Sequence, residues 1–222
     1  RQPGQSELEY QMRNWYYFNW LCGDHILEQH IHNIDVANWF IGEYPLSAQG
    51  FGGRQVRTGK DHGEIFDHHF VEFTYPSGAV IASQCRHQPD TMRRVSEFFQ
   101  GTKGTVSTAG DGVEMKGWDG STIFERRGKD DLNPYQVEHI KLFESIRNGG
   151  VIADAENGAK STMSAIIGRM ATYSGKELKY DQALASEVSI MPKVYGWDAD
   201  PGPKAGADGL YPAPIPGKHK VV

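Results

Sequence analysis

The stretch Gly23–Gly42, GDHILEQHIHNIDVANWFIG, decides how the rest of the chain is interpreted. Asp24 is a good helix N-cap, and Gly42 is a residue type that commonly ends a helix. Between these two positions the apolar residues recur with helical spacing. The sequence therefore predicts one helix from His25 to Ile41, with an apolar face and a polar face.

The polar face of this predicted helix carries groups that can bind ligands or transfer protons. At about 100° per residue, one stripe contains His25, Glu28, Gln29, His32 and Asp35. Glu28 and His32 are four residues apart, which on a helix places their Cβ atoms about 5–6 Å apart. A nearby carboxylate raises the pKa of an imidazole. The pair is therefore a candidate acid/base, although a solvated helix face is the more ordinary explanation of such a pattern.

Other candidate binding residues lie close to this helix in sequence or at the end of a predicted strand. They are Arg13, Trp15, Tyr16 and Trp20 before the helix, and Arg86 and His87 after a strand-like run. The aromatic residues can wall a sugar-sized pocket, or they can pack in the core. The polar residues can hydrogen-bond a carbohydrate, or they can lie on a solvated surface.

Histidines suggest a metal site only at first sight. The candidates are His25, His30, His32, His62, His68 and His69. On a helix His30 and His32 point about 200° apart, and the adjacent His68 and His69 point to opposite faces of a strand. The sequence therefore predicts no metal site. His30 falls on the apolar side and is predicted to be buried and hydrogen-bonded.

Between Leu46 and Arg127 the pattern changes to short runs of β-branched and aromatic residues separated by turn signals. His69–Tyr75 and Ala79–Cys85 are predicted to form one hairpin. Residues 95–100 and 105–108 are predicted to form another.

Helical spacing returns at Pro134–Arg147 and at Asp154–Tyr173. This order of elements predicts an α+β fold, a mostly antiparallel, open-faced sheet with helices packed on one face. Residues 1–195 are expected to form a substrate-binding and oligomerisation domain, with the open face available to a second copy. Residues 196–222 are rich in proline and glycine and are expected to form an extended tail.

The composition excludes several functional classes. The chain has 222 residues, a net charge of -5 and a pI near 6.0. This acidic balance argues against nucleic-acid binding, which favours a basic surface. No apolar run reaches the roughly 20 residues needed to span a bilayer. We expect a soluble protein, and the sequence is compatible with a cytoplasmic or an exported one.

Gly23–Gly42 is similar to the helix that opens the C-terminal domain of the Gfo/Idh/MocA oxidoreductases, the family of glucose–fructose oxidoreductase and inositol dehydrogenase. That pattern has a carboxylate, then His, Asp, Trp and Gly at set intervals, which here are Glu28, His32, Asp35, Trp39 and Gly42. The segments EHIKLFESIRNG, DAENGAKSTMSAI and YSGKEL, between residues 133 and 179, also resemble this family.

The resemblance implies a function shared with an N-terminal domain that this chain does not contain. His32 would take a proton from a substrate hydroxyl as hydride leaves for the nicotinamide of NAD or NADP. Glu28, where the family more often has Asp, would hold a neighbouring hydroxyl and tune His32. The family's glycine-rich dinucleotide loop is missing, since Gly50–Gly53 lacks the third glycine and leads into a strand pattern.

The expected function is therefore the substrate-binding part of an NAD(P)-dependent oxidoreductase of sugars, polyols or related carbohydrates. Two alternatives remain open at this point. One is a non-catalytic module that binds carbohydrate or mediates assembly. The other keeps the fold but uses the nicotinamide to assist glycoside cleavage.

Overall fold

The structure, a computed structural model, describes residues 1–110, 112–128 and 131–222. Within these ranges the chain divides into two compact units. Unit 1 comprises residues 1–91 and 159–222, and unit 2 comprises residues 92–158. The sequence prediction placed residues 1–195 in one domain and did not anticipate this division.

The elements of the described chain follow in sequence order. The first helices are α1 (Glu7–Arg13), α2 (Asn19–Cys22), α3 (His25–Glu28) and α4 (Ile31–Ile41), with a 3-10 turn at Trp15–Tyr17. The strands are β1 (Ser47–Gly53), β2 (His68–Thr74), β3 (Val80–Arg86), β4 (Phe98–Gln100), β5 (Gly104–Ser107), β6 (Gly112–Gly117), β7 (Thr122–Arg127) and β8 (Leu178–Lys179). The later helices are α5 (Pro134–Asn148), α6 (Ala155–Ser174) and α7 (Tyr180–Leu184).

Unit 1 contains a four-stranded antiparallel sheet in the order β3-β2-β1-β8. The predicted hairpin of β2 and β3 is confirmed, with Val71 opposite Ser83 and Phe73 opposite Ile81. Side chains along β2 alternate between buried and half-buried. The alternation arises because successive residues of a strand face opposite sides of the sheet.

One face of this sheet packs against helices. Val71 and Phe73 of β2 share a buried core with Ile34 of α4 and with Ile167 and Ala171 of α6. The other face is open, and on it Phe51 and Phe70 stack with ring centroids 5.1 Å apart. The predicted α+β fold, an antiparallel sheet with helices on one face, is confirmed.

The single helix predicted from His25 to Ile41 is wrong in one respect, because it is interrupted at Gln29 and His30. Both of these residues donate their backbone N–H to the carbonyl oxygen of His25, each at 3.1 Å. The bond from His30 spans five residues, as in a π-type turn. The turn shifts the faces that follow it, so His25 is buried while His32 is exposed. Gly42 ends α4 in the left-handed conformation, as predicted.

Unit 2 contains a second antiparallel sheet in the order β4-β5-β6-β7. The predicted pairing of residues 95–100 with residues 105–108 is confirmed by β4 and β5. Helix α5 begins with Pro134 in its first turn and ends at Gly149 in the left-handed conformation.

Residues 196–222, a fully described range, contain no helix or strand, yet they pack against unit 1. Tyr211 is 2% exposed and contacts Phe18 edge-on, with ring centroids 4.9 Å apart. Val221 joins the main core. The expected extended tail is therefore part of the body of unit 1. Among the helices of the described ranges, none combines the length and the apolar character required to cross a membrane.

Candidate functional site

The site is built around Asp24, the residue between α2 and α3. Its backbone has a φ of 76° and a ψ of 160°, in a region that residues other than glycine rarely occupy. The side chain is completely buried. One carboxylate oxygen accepts the backbone N–H of His25, and the other accepts the backbone N–H of Phe66 at 2.9 Å and the hydroxyl of Tyr173 at 2.5 Å. Three segments of the chain thus fix this carboxylate in the interior.

Two buried imidazoles lie against the same carboxylate oxygen. His25 Nδ1 is 2.8 Å from Asp24 Oδ1, and His69 Nε2 is 3.2 Å from it. His25 is 1% exposed and His69 is 3% exposed. On its other side His69 Nδ1 lies 2.9 Å from Thr172 Oγ1. Because His69 comes from β2 and Thr172 from α6, the cluster joins the sheet to the helices.

Burial and mutual charge set the protonation of this cluster. Burial alone would raise the pKa of Asp24, but His69 and His25 hold that pKa well below its ordinary value. Burial alone would lower the pKa of His25, but its contacts with Asp24 and Cys85 raise it to about 10. Burial lowers the pKa of His69. The cluster therefore holds an ionised carboxylate between two imidazoles, of which His25 has a raised pKa and His69 a lowered pKa.

A rim of polar side chains lies outside this cluster. The Tyr16 hydroxyl donates to Gln29 Oε1 at 3.0 Å and lies 3.5 Å from His87 Nε2. Arg57 Nη2 donates to His87 Nδ1 at 2.9 Å. The ring of His87 also lies 4.8 Å from that of His25, centroid to centroid. Burial, together with the charges of His25 and Arg57, lowers the pKa of His87 to about 4.

Several residues predicted from sequence come together in this rim. Tyr16 and His87 are in contact, and the charge of Glu28 acts on Tyr16. Burial, and next the charge of Glu28, raises the pKa of Tyr16. Trp15 is 44% exposed and meets Tyr16 edge-on at 5.5 Å.

The Glu28–His32 pair is not an ion pair in this structure. Glu28 ends α3 and His32 lies on α4, and within the described ranges no contact between the two side chains is short enough for an ion pair. Glu28 Oε2 is buried without a hydrogen-bond partner, and the exposed imidazole of His32 has none among the described residues. Both groups retain unused hydrogen-bonding capacity.

The remaining predicted binding residues have other partners or positions. Arg13 pairs with Glu9 at 3.4 Å on α1. Trp20 donates from Nε1 to Gln11, and Asp35 accepts a hydrogen bond from Ser161 of α6. Arg86 is exposed at the end of β3. The contacts of Arg13, Trp20 and Asp35 are therefore with residues outside the rim.

Sequence reasoning missed Asp24, His69 and Arg57 as members of the site. Asp24 was interpreted only as a helix N-cap, which it also is. For His69 a signal exists, because it alternates with Val71 and Phe73 on the inward side of β2. His30 is half-buried with Nε2 2.7 Å from Ser83 Oγ, so its predicted hydrogen bond is confirmed.

Comparison with known families fits this arrangement. The family model described as the GFO/IDH/MocA C-terminal domain matches residues 1–107, which include the whole cluster except its contacts from α6. The match covers 107 of the 222 residues, just under half of the chain. The resemblance inferred from Gly23–Gly42 is thereby confirmed. No curated protein matches the sequence.

Solved structures share the fold of this chain at low sequence identity. An aldose–aldose oxidoreductase from Caulobacter crescentus, complexed with glycerol, has a TM-score of 0.62 at 19% identity, covering 81% of this chain and 52% of that one. A protein from Thermotoga maritima assigned as an oxidoreductase has a TM-score of 0.60 at 19% identity, covering 79% and 51%. A protein from Desulfitobacterium hafniense assigned as an NADPH-dependent oxidoreductase has a TM-score of 0.56 at 12% identity, covering 71% and 48%. The chain spans about half the length of these proteins.

Among the described residues, the nearest glycine-rich stretch does not fit a dinucleotide-binding loop. Gly50–Gly53, the nearest glycine-rich stretch, lies within β1 and pairs with Val71–His68 of β2. A Cβ atom on Gly50 would lie 2.2 Å from the carbonyl oxygen of Phe70. These glycines therefore allow close approach of two strands, and their backbone groups belong to the sheet.

Proposed function

We propose that this chain is the substrate-binding part of an NAD(P)-dependent oxidoreductase that acts on a sugar, polyol or related carbohydrate. The cofactor would be held mainly by an N-terminal domain outside this chain, since the described residues contain no fitting loop. Support comes from the GFO/IDH/MocA domain match and from relatives of the same fold that are oxidoreductases.

The observation that carries this proposal is a group of unused polar atoms at the break between α3 and α4. Glu28 offers a carboxylate acceptor, Gln29 offers amide donors, and His32 offers a free imidazole. Sugar hydroxyls both donate and accept hydrogen bonds, so such a mixed set suits them. Burial of an unsatisfied carboxylate oxygen costs about 1–3 kcal/mol, which a substrate hydroxyl would offset.

His32 is the proposed acid/base. It is exposed and free, so a substrate hydroxyl can approach within the roughly 2.6–3.2 Å that proton transfer requires. Glu28 is proposed to bind a neighbouring hydroxyl. Tyr16 and His87 are proposed to complete the substrate-binding surface, with Trp15 beside them.

The test uses the full-length protein and follows nicotinamide reduction with a panel of sugars and polyols. His32→Gln should lower kcat by about 10²–10⁴-fold, the usual contribution of a positioned acid/base. His139→Gln, on an exposed position of α5, is the matched control and should leave kcat unchanged. If replacing Glu28 and His32 together left turnover intact, the chain would be a non-catalytic binding or assembly module.

We further propose that the open sheet face forms a contact between copies of the protein. Phe51 is 66% exposed and Val80 is 56% exposed on this face, and exposed apolar patches of this kind commonly mark interfaces. Phe51→Ser should shift the full-length protein to a smaller species in light scattering after size-exclusion chromatography. An unchanged mass would refute this assignment of the interface.

A further inference from the structure

We propose that Asp24, His25 and His69 form a binding site for a transition-metal ion, with Zn²⁺ as the reference ligand. The donor atoms are one carboxylate oxygen and two imidazole nitrogens, a set that suits Zn²⁺ and related ions. The site lies inside unit 1 and is distinct from the exposed groups proposed to meet the substrate.

The three donor atoms converge in the interior of unit 1. Asp24 Oδ1, His25 Nδ1 and His69 Nε2 all lie within 4.8 Å of one another. Zinc bonds of about 2.0–2.1 Å at a tetrahedral centre place neighbouring donors about 3.3 Å apart. The two nitrogens lie 2.8 and 3.2 Å from the carboxylate oxygen, so both oxygen–nitrogen separations are within about 0.5 Å of this value.

His25 Nδ1 and His69 Nε2 lie 2.8 and 3.2 Å from Asp24 Oδ1, but neither meets the geometry of a regular hydrogen bond to it. His25 Nδ1 and His69 Nε2 are both buried, and neither has a partner with acceptable hydrogen-bond geometry. An imidazole N–H lies in the ring plane, and a hydrogen bond requires it to point at the acceptor. A metal ion bound by a nitrogen and by the carboxylate oxygen sits beside the line that joins them, so metal binding does not require that alignment.

The hydrogen bonds around His69 orient its ring. The Thr172 hydroxyl lies 2.9 Å from the carbonyl oxygen of Arg169, which can only accept, so the hydroxyl donates to it. The same hydroxyl oxygen then accepts from His69 Nδ1–H. In the neutral imidazole this arrangement leaves the lone pair on Nε2, the nitrogen that faces Asp24. Metal-binding histidines are commonly oriented by such a bond to their other nitrogen.

Asp24 is oriented in the same way. Its Oδ2 accepts from Phe66 N–H and the Tyr173 hydroxyl. Among the described residues, Oδ1 accepts only the backbone N–H of His25 besides the two imidazole contacts. A carboxylate oxygen can accept more than one bond, so Oδ1 retains room for an ion. Three protein ligands leave a further coordination position for water.

The experiment measures binding of metal ions to this chain after treatment with a chelator and dialysis. Calorimetry with Zn²⁺ should give one equivalent with a Kd below about 1 µM, and saturation should raise Tm by about 5 °C. Co²⁺ should give the visible absorption of a four- or five-coordinate ion with nitrogen ligands.

The variants separate this site from the other histidines. His69→Gln should weaken Zn²⁺ binding by at least about 100-fold, whereas His68→Gln, on the opposite face of β2, should leave it unchanged. Thr172→Val removes only the orienting bond and should weaken binding by about 10–100-fold. If His69→Gln does not fold, the Zn²⁺ affinity of Thr172→Val tests the site instead. The proposal would be overturned if the chain bound no equivalent of Zn²⁺ tightly. It would also be overturned if the Thr172→Val and His68→Gln variants bound Zn²⁺ with equal affinity.

Discussion

Replacing Glu64 should change how the stability of the protein depends on pH. Glu64 Oε1 accepts the backbone N–H of Asn19 at the start of α2, while Oε2 is buried without a partner. Burial is the main cause that raises the pKa of Glu64 to about 7, from an ordinary value of 4.5. The folded protein therefore binds this proton more tightly than the unfolded chain does. The stability that Glu64 contributes is complete below pH 4.5 and is lost as the pH rises through 7.

The size of the effect follows from the two pKa values. One pKa unit corresponds to about 1.36 kcal/mol, so the full loss is at most about 3.4 kcal/mol. Between about pH 5.5 and about pH 8.5 the linkage relation gives a loss of about 2 kcal/mol. Water near the half-buried side chain reduces this to about 1–2 kcal/mol.

Glu64→Gln keeps the acceptor for Asn19 and removes the ionisation. Urea unfolding followed by tryptophan fluorescence should show that the variant gains about 1–2 kcal/mol relative to the parent when the pH rises from about 5.5 to about 8.5. Glu177→Gln, at an exposed position, is the matched control and should show no such gain. If the Glu64 variant and the parent followed parallel curves, the side chain would be ionised in the fold at no cost, and the reasoning would be wrong.

Two further predictions concern packing in unit 1. Tyr75→Phe removes the hydroxyl that donates to Asn38 Oδ1 in the core, so the free energy of unfolding should fall by about 1–3 kcal/mol. Tyr135→Phe, at a position that is 73% exposed, should leave the free energy of unfolding unchanged. Chemical denaturation measures both variants. Gly63→Ala places a Cβ atom 1.9 Å from the carbonyl oxygen of Tyr17, so Tm should fall by several degrees. Gly158→Ala, with open space around its Cβ, should raise Tm slightly. Equal Tm values for the two variants would contradict the clash at Gly63.

The fold was largely predictable because its signals are local. The β2–β3 hairpin follows from alternating residues on either side of Pro76-Ser77-Gly78, and the ends of α5 follow from Pro134 and Gly149. The break at Gln29 was not predictable, because neither glycine nor proline marks it. It depends on two N–H groups sharing the carbonyl of His25.

The site was only partly predictable because its inner part depends on long-range contacts. Asp24 receives bonds from Phe66 and Tyr173, which lie far away in sequence, and its positive φ leaves no mark in the residue type. The sequence grouped His25 with His32 on one polar stripe. The π-type turn separates them, so the first belongs to the interior and the second to the surface.

The inner cluster also determines which atoms of the rim remain free for a ligand. Because the pKa of His87 lies at about 4, its imidazole is neutral near pH 7, and the bond from Arg57 to Nδ1 leaves its proton on Nε2, toward Tyr16. The Tyr16 hydroxyl in turn donates its hydrogen to Gln29 Oε1. This series of hydrogen bonds leaves two groups without a partner among the described residues. They are the amide N–H groups of Gln29 and the Oε2 atom of Glu28. The donor and the acceptor are next to each other in sequence and are held by a directed network of hydrogen bonds. They therefore select a ligand group that can both donate and accept a hydrogen bond, and a hydroxyl does so.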